Sequence, residues 1–230
     1  MKKVVVAIDS FKGCISSLDA GLAIKDGIND FCDEIVVVPI ADGGEGSVEA
    51  MKDALNAKFI HVDTCDPMLR PIKASYATNE SIAIMEMASS CGLALLKEIE
   101  KNPRKTSTYG LGLMIKDALE RGIREFIIGI GGSATNDAGT GMLEALGFEF
   151  LDMHGKNLNM CGENLAKVCA ISSKNALKEL KDCKFNIACD VTNPLYGKNG
   201  AAYVYARQKG ANDEMISFLD NALKNFADVV

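Results

Sequence analysis

Three continuous apolar runs separated by two helical patterns mark the first 65 residues. The runs are "KVVVAID" (3–9), "EIVVVPI" (34–40) and "KFIHVDTC" (58–65), and each is apolar enough for a strand buried on both faces. Ser16 and Asp19 form a capping box at the start of the first helical pattern. The strand–helix–strand–helix–strand order predicts a parallel sheet covered by helices.

The pattern changes at Pro67 and Pro71, which bracket a turn. Behind them, "PIKASYA" and "SIAIMEM" predict a β-hairpin joined by the tetrapeptide "TNES". We therefore place a domain boundary after residue 66 and predict domains over 1–66 and 67–230. The later pattern predicts a helix over 107–122 that ends at Gly122 and an amphipathic helix over 213–229. It also predicts a strand over 125–130, a buried strand over 185–190, and a hairpin around His154 and Gly155.

Composition and charge narrow the classes of function. Of the 230 residues 48% are hydrophobic, which is enough for one large or two modest domains. The net charge of −6 comes without a basic stripe and argues against nucleic acid as a partner. The most apolar runs, such as residues 81–87, are much shorter than a membrane span, and Asp9 closes the first run without a signal-peptide cleavage site. We expect a cytoplasmic protein.

Cysteine and histidine spacing gives no sign of metal or disulfide chemistry. The eight cysteines contain no Cys-x-x-Cys pair, and several lie in apolar stretches such as "NIACD", so we expect buried, reduced thiols. The two histidines, His61 and His154, lie far apart in the chain. Neither a zinc site nor a histidine-based catalytic triad has support in the sequence.

Polar clusters recur directly after the apolar strands. They are "DSFKG" (9–13), "ADGGEG" (41–46), residues 131–133 within "GIGGSATNDAG", and residues 190–193 within "CDVTNP". In open α/β sheets, ligands bind outside the carboxyl ends of the strands. Four such clusters, rich in Asp, Lys, Ser and Gly, suggest one shared cleft.

The first two clusters each have an ordinary structural interpretation beside the functional one. In "DSFKG", Lys12 could hold an anionic oxygen, or the segment is a solvated loop. In "ADGGEG", the glycines allow a ligand to approach the backbone closely, and the carboxylates could bind a metal or accept a hydroxyl proton. The alternative is a turn with acidic residues near a helix N-terminus.

The glycine-rich stretch over 129–139 is an imperfect phosphate motif. It lacks the Gly-Lys-Ser/Thr end of a Walker loop, and Ala134 stands where the third glycine of Gly-x-Gly-x-x-Gly would lie. Successive amides, two hydroxyls and a helix start still suit an anion. The alternative is a tight turn with Asn136 or Asp137 as the helix cap.

Charged side chains elsewhere could serve the same anion. Asp190 closes a strand and could hold magnesium or act as a base. Lys209, like Lys198 and Arg207, could neutralise a phosphate, or all three are ordinary surface cations. Arg104 precedes a helix and offers either an anion site or part of a solvated loop.

Together these stretches resemble the glycerate kinase family, type one. The matching segments are "DSFKG", "PIADGGEG", "NPRKTSTYGLG", "GIGGSATNDAG" and "CDVTNPLYG" followed by "QKGA", in the family's order and over nearly the whole chain. The resemblance implies transfer of the ATP γ-phosphate to a hydroxyl of D-glycerate with Mg²⁺, usually giving 2-phosphoglycerate. It further implies a small-molecule substrate, while charge and hydropathy argue against nucleic acid and membrane as partners; a homodimer is a candidate assembly that the sequence leaves open.

The resemblance also implies the α/β fold class and a division of the chain. Residues 1–66 would be the N-terminal half of a Rossmann-like parallel-sheet domain, incomplete in this chain. Residues 67–230 would be a second, inserted mixed α/β domain that carries the glycine-rich motifs.

A set of site residues carries over from the family motifs. Asp42, Asp190 and Lys12 would be catalytic, with one of the carboxylates orienting or deprotonating the glycerate hydroxyl. Substrate would be bound by Ser10, Phe11, Gly43, Gly44, Glu45, Arg104 and Ser133, the cofactor by Gly131, Gly132, Ala134, Thr135, Asn193 and Lys209, and magnesium by Asp190.

The chain departs from the family pattern at three positions and at its end. Leu113, Ala138 and Arg207 stand where the family commonly has glutamate, glycine and proline. Family members run well beyond the position of Val230, so we expect the first domain to lack its second half. An inactive module that binds a sugar acid or a nucleotide is therefore an alternative function. A nicotinamide-dependent oxidoreductase is a further alternative, disfavoured by the interrupted Gly-x-Gly-x-x-Gly pattern.

Overall fold

The computed structural model describes residues 2–9, 11, 14–40 and 47–230, and its helices and strands confirm the expected α/β class. The strands are β1 (Lys3–Ile8), β2 (Glu34–Pro39), β3 (Lys58–Cys65), β4 (Pro71–Thr78), β5 (Ile82–Glu86), β6 (Glu125–Gly129), β7 (Glu149–Leu151), β8 (Ala170–Ser172) and β9 (Lys184–Ala188). The α-helices are α1 (Ser17–Ile28), α2 (Ser47–Ala54), α3 (Ala88–Cys91), α4 (Tyr109–Glu120), α5 (Thr140–Ala145), α6 (Ala201–Tyr205) and α7 (Asp213–Val229). Short 3-10 helices lie at Asn29–Phe31, Leu93–Leu95, Glu98–Glu100, Gly162–Lys167, Lys178–Asp182 and Arg207–Lys209.

The first two strands form the expected parallel pair, joined by α1. β1 and β2 run in register from Lys3 opposite Glu34. Ser16 is the N-cap as predicted, because its hydroxyl oxygen accepts a hydrogen bond from the Asp19 amide at 3.0 Å. The Asp19 carboxylate accepts from the Ser16 hydroxyl at 2.7 Å, which is not the reciprocal backbone contact of a capping box. Helix α1 contacts both strands on one face. The other face of β1 carries Val5, which is exposed. The expectation that this strand is buried on both faces is therefore wrong for the described residues.

The third strand does not join this parallel sheet, and that part of the prediction is wrong. β3 pairs antiparallel with β4 in a five-stranded sheet of order β3-β4-β5-β6-β9. The short turn between Cys65 and Pro71 makes β4 an antiparallel neighbour of β3, because a parallel neighbour needs a crossover of a dozen or more residues. The boundary predicted after residue 66 lies in this turn, and the division into domains stays a prediction.

The predicted hairpin and the helix that follows it are confirmed. β4 and β5 pair antiparallel, and the Asn79 side chain closes the turn by accepting hydrogen bonds from the amides of Ser81 and Ile82. Helix α4 buries Leu111 and Ile115 against the sheet, as its apolar stripe predicts. The chain leaves α4 through Gly122, whose φ of 88° suits glycine.

Strand β9 is the last strand of the five-stranded sheet, and the expectation that it is buried is wrong. Phe185 and Ile187 are 40% and 54% exposed, because a strand at the end of the sheet order has a neighbour on one side. β9 nevertheless pairs parallel with β6 along its whole length. Its carboxyl end therefore lies beside the carboxyl end of β6.

The last helix completes a second hydrophobic core. α7 has the predicted bounds and is capped by Asn212, which accepts a hydrogen bond from the Met215 amide at 2.9 Å. Leu219 and Leu223 on its apolar face pack with Phe150 of β7. The predicted turn at residues 154–155 is present, but β7 forms its strand ladder with β8.

Candidate active site

Three parallel strands end side by side in the five-stranded sheet. Glu86 of β5 lies in register with Gly129 of β6, and Gly129 lies in register with Ala188 of β9. The segments that follow these strands therefore start at one edge of the sheet, where ligands bind in open α/β folds. Two of them are the predicted glycine-rich stretch and the stretch that begins with Cys189 and Asp190.

The glycine-rich loop after β6 is fixed to the segment after β5. The Leu93 amide donates to the Gly132 carbonyl at 2.9 Å, and the Ala134 amide donates to the Cys91 carbonyl at 2.8 Å. Gly132 has a φ of 71°, which suits glycine. The Ala134 amide is thus engaged within the protein, whereas residues 131–133 remain at least partly exposed.

Lys209 holds this loop from beneath. Its ammonium group donates hydrogen bonds to the Ser133 hydroxyl at 2.9 Å and to the Thr135 carbonyl at 2.6 Å. The lysine is 9% exposed, and this desolvation lowers its pKa to about 8, with the nearby charge of Asp137 acting in the opposite direction. The structure thus brings together three of the residues predicted to bind ligand.

Asp137 closes the far end of the loop and joins it to the start of α4. Its carboxylate accepts hydrogen bonds from the Thr108 amide and hydroxyl and from the amides of Gly139 and Gly141. The side chain is buried, and burial raises its pKa while the four hydrogen bonds lower it. The N-cap residue of α5 is Gly139, so the prediction of Asn136 or Asp137 as the cap is wrong in position. The Asp137 carboxylate nevertheless accepts from the Gly141 amide in the first turn of α5, while the first half of the loop stays accessible.

Arg104 lies against the C-terminal core. Its guanidinium group stacks on Phe218 of α7, 4.3 Å from the ring centre, and lies 3.4 Å from a carboxylate oxygen of Glu163. Lys105 also pairs with Glu163, at 2.5 Å. The Nε–H of Arg104 is buried and has no acceptor among the described residues. A neighbouring residue, Thr106, connects this segment to the loop by donating to the Ala134 carbonyl.

The remaining predicted site residues have varied surroundings. Asp190 is exposed directly after β9, whereas Asn193 accepts a hydrogen bond from the Tyr205 hydroxyl and donates to the Asn199 carbonyl. Phe11 is exposed in a turn with Ile15. Six of the predicted residues lie outside the described part of the chain: Ser10, Lys12, Asp42, Gly43, Gly44 and Glu45.

A sequence model described as the glycerate kinase family matches residues 4–230. The chain belongs to the glycerate kinase family. The glycerate kinase of Haemophilus influenzae is 41% identical over 231 residues, which cover 99% of this chain and 61% of that protein. The glycerate 2-kinase of Escherichia coli K12 is 41% identical over 232 residues, with the same shares.

A solved structure extends this similarity to three dimensions. A crystal structure provisionally assigned to glycerate kinase 2 of Salmonella typhimurium LT2 superposes with a TM-score of 0.89 at 40% identity and covers 99% of this chain and 62% of its own. The family resemblance stated from the motifs is thus confirmed. The chain spans about three-fifths of the length of the curated glycerate kinases that it matches.

The strand ends of this glycerate kinase family member include a carboxylate that sequence reasoning missed. Glu86 ends β5, is nearly buried, and accepts a hydrogen bond from the Val48 amide near the start of α2 at 2.8 Å. It connects the end of β5 to the helix that follows residues 41–46. The signal was an acidic residue inside the apolar run "SIAIMEM", which the hairpin interpretation left unexplained.

Within the described ranges, no three His, Cys, Asp or Glu side chains are grouped closely enough to hold a metal ion by themselves. Across the same ranges, no helix combines the length and apolarity needed to cross a membrane.

Proposed function

We propose that this chain performs glycerate kinase chemistry, transferring the γ-phosphate of ATP to a hydroxyl of D-glycerate, with 2-phosphoglycerate as the product. The observation that carries the proposal is the meeting of three strand ends at one sheet edge in a chain that matches the family over residues 4–230. Phosphoryl transfer depends on positioning and charge neutralisation more than on covalent chemistry, and loops of this kind can supply both.

The phosphate end of the ligand is assigned to the amides of residues 131–133 and the Ser133 hydroxyl. Support comes from their exposure and from the ammonium group of Lys209 directly beneath them. Lys12 and Arg104 would hold the glycerate carboxylate or the transferred phosphate. For Arg104 the support is its buried Nε–H, which has no acceptor among the described residues.

Asp190 is assigned to Mg²⁺. Protein-bound Mg²⁺ commonly uses one or two carboxylates together with substrate phosphates, so a single exposed carboxylate at the sheet edge fits the ion. When bound, Mg²⁺ would neutralise charge on the phosphates. Either Asp42 or Asp190 would orient or deprotonate the glycerate hydroxyl. The proposal also includes a cytoplasmic location and a homodimer. Sedimentation velocity of the purified chain would measure the oligomeric state.

The test is ADP formation by the 230-residue chain with ATP, Mg²⁺ and D-glycerate, with the product assigned by NMR. We expect Asp190→Asn to lower kcat by about 100-fold or more. Asp182→Asn, at an exposed aspartate outside the strand ends, is the matched control and should keep normal turnover. Near-normal turnover in Asp190→Asn would exclude that residue. ATP binding without turnover in the unmutated chain would instead favour the binding-module alternative.

A further inference from the structure

The hydrogen bond between Lys209 and Ser133 has a fixed direction. A lysine ammonium has three donors and no acceptor, so the Ser133 oxygen must be the acceptor at 2.9 Å. The hydrogen of the Ser133 hydroxyl must therefore point to a different acceptor. Lys209 is nearly buried whereas Ser133 is only partly buried, so the two side chains form a line from the protein interior toward the loop surface.

The backbone on both sides of this pair is held in place. Lys209 also donates to the Thr135 carbonyl, so one ammonium group holds two points of the loop. Gly210, the next residue, adopts a φ of 95°, and a Cβ there would come within 2.3 Å of the Lys101 carbonyl oxygen. The close approach of these two segments fixes where the Lys209 side chain begins.

We propose that Lys209 is a positioning residue that turns the Ser133 hydroxyl outward, so that Ser133 binds an anionic ligand as a hydrogen-bond donor. This rests on the proposed function, in which the anion is a phosphate of ATP. It changes the role of Lys209, because the ammonium acts through Ser133 and Thr135 without touching the ligand. Asp137 is the charged group that faces Lys209 from the loop, and its carboxylate is occupied by four donors of its own.

The main test is a double-mutant cycle of Lys209→Met and Ser133→Ala in the whole chain. Each single variant should raise the KM for ATP by about tenfold, the effect of losing one hydrogen bond to a charged group, with a smaller change in kcat. The double variant should raise the KM by clearly less than the product of the two single effects, because the part of the Lys209 effect that acts through the Ser133 hydroxyl is already lost in Ser133→Ala. Lys224→Met, at an exposed lysine of α7, is the matched control. An unchanged KM in Lys209→Met, or single effects that multiply in the double variant, would overturn the proposal.

A pH profile separates positioning from a general loss of structure. Above about pH 8 the Lys209 amine becomes neutral and gains a lone pair that can accept the Ser133 hydrogen, which turns the hydroxyl inward. The KM for ATP should therefore rise above about pH 8 in the unmutated chain and stay level in Lys209→Met. Parallel profiles in the two proteins would contradict the proposed orientation.

Calorimetric titration of ATP into the same four proteins of the double-mutant cycle gives dissociation constants that do not depend on turnover. These constants test the role of Lys209 separately from the proposed function. If ATP binds without turnover and the dissociation constants show the non-additive pattern, the kinase proposal fails and the role of Lys209 stands. If turnover is present and the effects multiply, the kinase proposal stands and the role of Lys209 fails. Absence of ATP binding overturns both.

Discussion

The carboxylate of Asp137 accepts hydrogen bonds from both the backbone amide and the side-chain hydroxyl of Thr108, at 2.8 and 2.7 Å. This contact joins the glycine-rich loop to the N-cap residue of α4, two segments that the sequence separates by nearly thirty positions. The approach is close, because a Cβ at Gly141 would lie 2.1 Å from the Ser107 hydroxyl. The two motifs therefore form one buried polar unit.

Asp137→Asn is expected to destabilise the fold strongly. Three donors converge on Oδ2 and a fourth, the Gly139 amide, faces Oδ1, so the amide nitrogen of an asparagine would face at least one N–H donor in either orientation. We expect the free energy of unfolding to fall by about 2–3 kcal/mol. Urea unfolding measures the loss, with Asp182→Asn at an exposed site as the control. Equal urea midpoints for the two variants would contradict the buried network.

Elements with a strong local pattern could be predicted, whereas their partners could not. The helix over 213–229 was predicted with its observed bounds, because its apolar residues repeat at helical spacing. β3 is a strand, as its apolar run predicts, yet it belongs to the five-stranded sheet and not to the predicted parallel sheet with β1 and β2. An apolar run reports burial in a sheet and does not identify the neighbouring strand. Here the short turn before Pro71 decided the pairing.

In the candidate site too, some features could be predicted from the sequence and others could not. Polar residues after strands, such as Ser133 and Asp190, could be located from the order of motifs alone. The burial of Lys209 and the contact of Glu86 with α2 could not, since both depend on segments far apart in the sequence. A lysine in "QKGA" has the sequence pattern of a surface cation. Its removal from water is a property of the tertiary packing.

Glu86 is expected to hold the N-terminal turn of α2. Glu86→Ala removes the acceptor of the Val48 amide and should lower the free energy of unfolding by about 1–3 kcal/mol, because a buried N–H is left unpaired. Glu86→Gln keeps an acceptor oxygen and should lose less. Thermal unfolding of both variants, beside Glu179→Ala at an exposed glutamate, measures the difference. If the alanine and glutamine variants unfold at the same temperature, the acceptor role is wrong.

The cysteines are expected to react with alkylating agents in two groups. All eight are free, but only Cys65 and Cys91 are buried; Cys32, Cys161 and Cys183 are half-buried, and Cys14, Cys169 and Cys189 are exposed, so the sequence expectation of buried thiols is wrong for the last three and is met in full only by the first two. Burial raises the pKa of Cys65 to about 11 and that of Cys91 to about 12, which leaves almost no thiolate at neutral pH.

Iodoacetamide at pH 7.5 should therefore modify the three exposed cysteines in the native protein and should leave Cys65 and Cys91 unmodified until urea is added. Peptide mass spectrometry after timed labelling reads out each site. Native labelling of Cys91 at the rate of Cys169 would show that the sheet core opens far more readily than its packing implies.

Lys209 should make the stability of the protein depend on alkaline pH. Its pKa falls from 10.5 to about 8 on folding, so between these values the unfolded chain binds more protons. The free energy of unfolding therefore rises with pH across this window, by roughly 3 kcal/mol at 1.36 kcal/mol per unit. Below about pH 8 both states carry the proton, and the residue adds no pH dependence. Cys65 and Cys91 act in the opposite direction, because their pKa values rise on folding.

The measurement is the difference in unfolding free energy between the unmutated chain and Lys209→Met at pH 7, 8, 9 and 10, since the cysteine contributions cancel in that difference. We expect the difference to shift in favour of the unmutated chain as the pH rises, and to stay constant for Lys224→Met. A difference that is level across the series would mean that the Lys209 ammonium keeps its solvation in the folded protein, and its place beneath Ser133 would then be in error.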